Sequence, residues 1–302
     1  MITRFAPLLL VFILFATSKA QEIADPEFKA VVDQPAFTKN FPRVLFDEGH
    51  NNYDTRMGGY KPFADLIVLD GYQVMLGRKF FSKESLDTFK VLIIANALGA
   101  EDRDDPDAAK PAFADNECDA VRDWVKAGGS LLLIADHAPF GGAAEILASR
   151  FGVEMSKGTT RNNATEPKDP GWISYSRDNK LLLDHPITSG RNDTEKINRV
   201  ITFAGQSLKG PEGSSTFLKL PDTAVETLPS VPEKEISAAG RAQGIALKFG
   251  KGRVVVLGDS GMLSAQVSGR ERAPHGLNYP GVDNKQLALN IMHWLSGVLR
   301  ER

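Results

Sequence analysis

Two of the five histidines in this 302-residue chain, His50 and His137, stand directly after apolar runs. "VLFDEGHNN" places Asp47, Glu48, His50, Asn51 and Asn52 in one short stretch. "LLLIADHAPFGG" ends the apolar run Leu131–Ala135 in Asp136 and His137, and Gly141 and Gly142 follow. Asn96 closes "VLIIAN", and Asp259 and Ser260 close "RVVVLGDS". Histidine changes charge near neutral pH, so beside a carboxylate it can take a proton from water or a hydroxyl and return it. The same residue types also bind a divalent metal that activates water. Two chemistries therefore stay open. In one, His137 and His50 are acid and base, with Asp47, Asp136 and Asp259 orienting them. In the other, His50, His137 and Asp47 hold a divalent metal, although D-E-x-H is no zinc signature and HExxH is absent.

Around these groups, Glu48, Asn51, Asn52, Asn96, Ser260 and Asn278 are the candidate ligand-binding residues. Gly141 and Gly142 open a helix whose first amides are suited to an anion or a developing oxyanion. Ser260 does not sit in a G-x-S-x-G setting, so capping a turn is its plainer role. His275 and Tyr279 lie in a Gly- and Pro-rich loop that is expected to cover the same edge. Trp172 and Tyr175 are candidate stacking surfaces for a sugar. His185 is expected to fix a loop, and His293 to be structural.

The elements that must position these residues follow from hydrophobic periodicity. Short apolar runs at "RVLFDEG", "YQVMLG", "KVLIIANAL" and "SLLLIAD" read as strands. "YKPFADLIVLDGY", "FADNECDAVRDWVKAGG" and "GGAAEILASRFG" between or after them read as helices, and Cys118 is placed on a buried helix face. Continuous apolar strands alternating with helices imply an α/β fold, a parallel sheet covered on both faces. In such a sheet the carboxyl ends share one edge, where ligands bind. That edge collects the residues named above.

"GIALKFGKGRVVVLGDS" reads as a hairpin, and "VDNKQLALNIMHWLSGVL" as a final helix capped by Asp283 with Gln286 three residues on. "NRVITFAG" reads as a further strand. Residues 156–179 are polar and read as a long loop over the sheet. The stretch 207–240 has no clear period.

Net charge is −2, with 42% hydrophobic and 25% charged residues and no basic run, which argues against nucleic-acid binding. "MITRFAPLLLVFILFATSKA" has the layout of a secretory signal peptide over residues 1–20. Its apolar core is shorter than the ~20 residues that span a bilayer. The expectation is a secreted or periplasmic protein, with an arm over 21–41 and one α/β domain over 42–300. Its only expected membrane contact is through the signal peptide. The expected ligand is small and polar, or a carbohydrate, with an envelope protein as an alternative partner.

The ordered set "RVLFDEGHNN", "FADLIVLDGYQV", "VLIIANAL", "WVKAGGSLLLIADHAPFGGAAEILASRFGV", "GKGRVVVLGDSGML" and "DNKQLALNIMHWLSG" resembles the DUF4350 and gliding-protein-like group of the class I glutamine amidotransferase-like superfamily. "DHPITSG" is similar to its trehalose-utilisation (ThuA-like) relatives. The resemblance implies a flavodoxin-like sheet flanked by helices. It also marks a departure. The amidotransferases carry a nucleophilic Cys in a G-x-C-x-G turn, where this chain has "IADHAPFGG", and Cys118 lies on the preceding helix. Glutamine amidotransfer is therefore not expected, and the resemblance supplies a fold and a site location without a reaction.

Overall fold

The computed structural model describes residues 23–163, 169, 171–268 and 272–300. The predicted signal peptide, residues 1–20, lies outside them. Among the described residues no helix is long and apolar enough to cross a membrane.

The apolar runs form strands as expected: β1 (Arg43–Asp47), β2 (Gln73–Gly77), β3 (Val91–Ala95) and β4 (Ser130–Ile134), followed by the hairpin β5 (Ala242–Phe249) and β6 (Gly252–Leu257). Their order is β2-β1-β3-β4-β6-β5. All neighbours pair in parallel except β6 with β5. Counting only parallel strands, this is the flavodoxin-like 2-1-3-4-5 order, with its switch point between β1 and β3. Every residue of β3 and β4 is buried, which explains why both read as unbroken apolar runs.

Successive side chains on each strand point to opposite faces, so the sheet has two cores. Val44, Phe46, Ile93, Leu132 and Val255 pack under α1 (Lys61–Leu69) and α4 (Asn284–Ser296). Leu45, Leu92, Ile94, Leu131 and Val254 pack under α2 (Asp115–Ala127) and α3 (Phe140–Ser149). Each fully buried Leu, Ile or Val contributes roughly 1.5–3 kcal/mol from burial. Cys118 is fully buried on α2, as its helical position implied. Helix α4 ends at Gly297, whose φ of +90° is the left-handed stop that glycine tolerates.

Two expectations are corrected. First, the polar stretch 156–179 is not simply a loop. Thr159–Asn162 pairs with Ala224–Leu228, and Trp172–Ser176 pairs with Arg199–Phe203. The strand signal was hidden because a buried partner is polar: Thr160 donates its hydroxyl to the fully buried Glu226 carboxylate at 3.0 Å. The strand expected in "NRVITFAG" is present as Arg199–Phe203, in this small antiparallel pair. Second, Asp283 does not cap α4 with its side chain. Its carboxylate accepts the Asn198 and Arg199 amides at 2.7 and 3.0 Å, and Gln286 donates to Asn290. Donors distant in sequence took the place of the local box.

The stretch 207–240 contains several short strands, including Ser215–Lys219, which pairs with β5. The chain before β1 runs along the body. Ile23–Ala24 pairs with Ala265–Ser268, and Phe28 and Phe37 pack against the core.

Candidate functional site

The strand-end residues separate into two clusters. The first closes around His50. Strand β1 delivers Asp47, and the turn through Gly49 brings His50 back over it. Asp47 lies 2.9 Å from His50 Nδ1, and Glu117 of α2 lies 3.0 Å from His50 Nε2. Asn52 donates to Asp47 at 3.1 Å and accepts the His50 amide. The imidazole packs against Phe81 and Phe113, each 4.7 Å away by ring centroid. Burial pushes its pKa down, but hydrogen bonds and charge attraction, from Asp47 and then Glu117, outweigh that and raise it overall. Both ring nitrogens are engaged inside the protein. The geometry is that of a brace tying β1 to α2, with no ring atom left to meet a substrate or a metal. The expected trio of His50, His137 and Asp47 is not assembled, since His137 belongs to the second cluster. Among the described residues no group of three His, Cys, Asp or Glu side chains is placed to hold a metal ion.

The second cluster lines a cleft of about 170 Å³ over the carboxyl ends of β3, β4 and β6. Its floor is one connected network. Asn96, just past β3, accepts the Asp136 amide at 2.9 Å and donates to Asp54 at 2.8 Å. Asp136, just past β4, accepts both the amide and the hydroxyl of Ser260, at 2.8 and 2.7 Å. Its other oxygen accepts the His137 amide at 2.6 Å. Asn96 holds φ +48°, a left-handed conformation that asparagine tolerates better than most residues. Beneath the floor, Tyr60 donates to the Ser260 carbonyl at 2.8 Å. Burial first, and then the charges of Asp54, Asp259 and Asp136, raise the Tyr60 pKa well above its ordinary value. The base of the cleft is therefore electronegative.

His137 stands on the wall with its side chain 29% exposed. Its Nδ1 lies 2.7 Å from the Ala138 carbonyl oxygen. A carbonyl can only accept, so Nδ1 carries the proton and neutral His137 keeps its lone pair on Nε2. Nε2 is 4.0 Å from Asp136, beyond hydrogen-bond reach. Arg103 reaches the same cleft, its guanidinium over the rings of Tyr53 and Phe140 at 5.3 and 6.0 Å. His275 lines the cleft too, packed edge-on to Trp172 and Phe203.

The other sequence-derived residues have local duties. Asp259 is fully buried and accepts the Phe203 and Met262 amides, at 2.6 and 2.8 Å. Glu48 accepts the Arg56 amide at 2.8 Å, and Asn51 is an exposed residue at φ +50°. Gly141 and Gly142 are explained by packing: a Cβ would stand 2.4 Å from the Gln206 side chain at the first and 2.8 Å from the Ala109 carbonyl at the second. The Gly142 amide is already bonded to the Pro139 carbonyl. Asn278 donates to Asp25, tying down the arm. Tyr175 is fully buried and donates to Gln243, so it offers no stacking face. Trp172 packs against Phe203, His275 and Tyr279. His185 caps the short helix Pro186–Ser189, and His293 bonds Asp70 at 2.7 Å, both structural as expected. A groove of about 240 Å³ between the arm and α4 holds none of the strand-end residues.

Sequence reasoning missed Asp54, Arg103 and Gln206. Asp54 sits a few residues beyond "DEGHNN", and only the β3 partner Asn96 reveals its place. Arg103 is the one cation in the acidic run 101–107, and that oddity was the available signal. Gln206 donates to the Ala135 and Asp136 carbonyls at 2.9 and 3.0 Å, a role with no sequence mark.

Known proteins add a fold but no family. No protein-family model matches the sequence, and no curated protein does. Among solved structures, the mmIFT52 N-terminal domain is similar with a TM-score of 0.61 at 14% identity, over 84% of this chain and 97% of that one. A putative ThuA-like protein from Bacteroides uniformis aligns with a TM-score of 0.43 at 12% identity, over 88% and 93%. A putative GMP synthase subunit from Thermoplasma acidophilum aligns with a TM-score of 0.44 at 10% identity, over 85% and 96%. At such identities the likeness concerns the fold alone.

Proposed function

We propose that this is an exported, hydrolase-like protein that binds a small polar ligand of carbohydrate type in the cleft beside His137. The carrying observation is the fixed state of that imidazole. With Nδ1–H held by the Ala138 carbonyl, Nε2 keeps its lone pair for the cleft, whose lining also includes Ser260. In this reading Nε2 takes a proton from water or a ligand hydroxyl. The Asp136 network holds the floor, with Asp136 at 4.0 Å from Nε2. The fully buried Asp259 positions the turn that carries Ser260. We assign export to the apolar stretch at 1–20, and the DUF4350-like grouping to the ordered strand-end motifs. An envelope protein remains the proposed partner class for a non-catalytic form of the same site. Among the described residues no carboxylate is shown within hydrogen-bond reach of the His137 ring, which favours that second reading.

The test is a screen of sugar esters, lactones and amides with wild type, His137→Ala and His137→Gln. Turnover should fall by about 10²–10⁴-fold in both variants if His137 is the general base, with unfolding midpoints preserved because the ring is partly exposed. Turnover untouched by either change would refute the role. Ligand binding without turnover in wild type would establish the binding-module reading.

A further inference from the structure

The cleft has two chemically different ends. Its floor is rich in acceptors, the Asp54 and Asp136 carboxylates, with Ser260 and Asn96 already turned toward them. Its rim carries a guanidinium. Arg103 lies in "EDRDDPD", residues 101–107, where every other ionisable side chain is acidic, and it is the one member of that run that lines the cleft. The two rings beneath it, Tyr53 and Phe140, hold the planar group over the opening. Its ion-pair contact is the exposed Asp104 at 3.9 Å, a geometry that adds little. An arginine placed over aromatic rings, with its ion pair among the described residues long and exposed, suits a planar anion bound in two parallel hydrogen bonds.

We propose that the ligand is a hydroxylated carboxylic acid of sugar size, a uronic acid or the uronate end of a glycan. This rests on the cleft being the binding site. The carboxylate meets Arg103 at the rim, and the hydroxyls donate to Asp54 and Asp136 at the floor. Hydroxyl-to-carboxylate bonds are charge-assisted and stronger than neutral ones. The exposed ring of Tyr53 gives the C–H face of a sugar an apolar wall. At about 170 Å³ the cleft lies below the roughly 300–1,000 Å³ of drug-sized pockets, so it admits one unit or a chain end. The acidic floor and rim set a limit on this. They disfavour anions in general, so selectivity depends on the fork of Arg103 and not on net charge.

The experiment is calorimetric titration of the purified protein with three ligands of one size, glucose, glucuronate and glucosamine, and with their galacto and manno counterparts. Arg103→Gln and Arg103→Lys are titrated alongside, with unfolding midpoints recorded. The uronate should bind about tenfold or more tightly than the neutral sugar. Arg103→Gln should abolish that preference, so that uronate and neutral sugar bind alike, with the midpoint unchanged. Arg103→Lys should retain only part of it. Equal binding of uronate and neutral sugar, or a preference that survives Arg103→Gln, overturns the uronate assignment and leaves the cleft as a sugar site. Preference for the amino sugar overturns it in favour of a cationic ligand. If none binds to wild type, the uronate assignment and the carbohydrate reading fall together.

Discussion

At the residue scale, the two histidines that look equivalent in sequence have opposite fates. Both follow an apolar strand and sit beside an aspartate. His50 has both ring nitrogens engaged by buried carboxylates, whereas His137 keeps Nε2 outside hydrogen-bond reach of Asp136. Spacing does not distinguish them, because the decisive partner of His50 is Glu117, distant in sequence on α2. Removing it breaks a buried charged pair, so Glu117→Ala is expected to cost about 3–5 kcal/mol in denaturant unfolding. A loss below about 1 kcal/mol would show that the brace is not a brace. The raised His50 pKa also gives a pH dependence with a definite sign. Folding favours the protonated ring, so this stabilisation is complete below the ordinary value of 6.5 and is lost as pH rises through the higher folded value. NMR titration of the His50 ring should give a midpoint above 6.5. A midpoint below it would contradict the paired geometry.

At the element scale, the parallel strands, both covering helix pairs and the final hairpin were legible in sequence, because burial on both faces leaves long apolar runs. The carboxyl edge was legible for the same reason, and Asn96, Asp136 and Ser260 do meet there. What was not legible were pairings held by polar groups. Thr160 on Glu226, Asp283 on Asn198 and Gln206 on the β4 end all join residues far apart in the chain. Close backbone approach belongs to this class as well. A Cβ at Gly205 would stand 2.1 Å from the Gly258 carbonyl oxygen, where the chain after Arg199–Phe203 crosses the end of β6. Neither backbone can yield cheaply, so Gly205→Ala should lower stability by about 1–3 kcal/mol and disturb the Ser260 turn. A neutral result would mean that this crossing is not close-packed.

At the scale of the whole molecule, the sheet, the small antiparallel pair and the strands at 265–268 and 273–276 converge on the cleft from different sides. The sheet supplies Asn96, Asp136 and Ser260, and the Arg199–Phe203 strand supplies Phe203. The paired strands Ala265–Ser268 and Ala273–Gly276 supply Gln266 and His275, and the arm pairs with the first of them through Ile23–Ala24. A chain begun at residue 40 should therefore unfold at a lower temperature and bind ligand less tightly, since Ala265–Ser268 loses its outer partner. For a protein of this size each 1 kcal/mol lost moves the midpoint by about 2–4 °C. An unchanged midpoint would show that the arm contributes nothing.

The most direct test of the central claim is long-range ¹H–¹⁵N correlation of the five histidine rings, without ligand and through a titration with glucuronate. His137 should be the Nδ1–H tautomer at neutral pH. Its Nε2 signal, with that of His275, should move as the sugar is added, while His50, His185 and His293 stay fixed. An Nε2–H tautomer at His137, or shifts at the internal histidines with none at the cleft, would contradict the placement of the site.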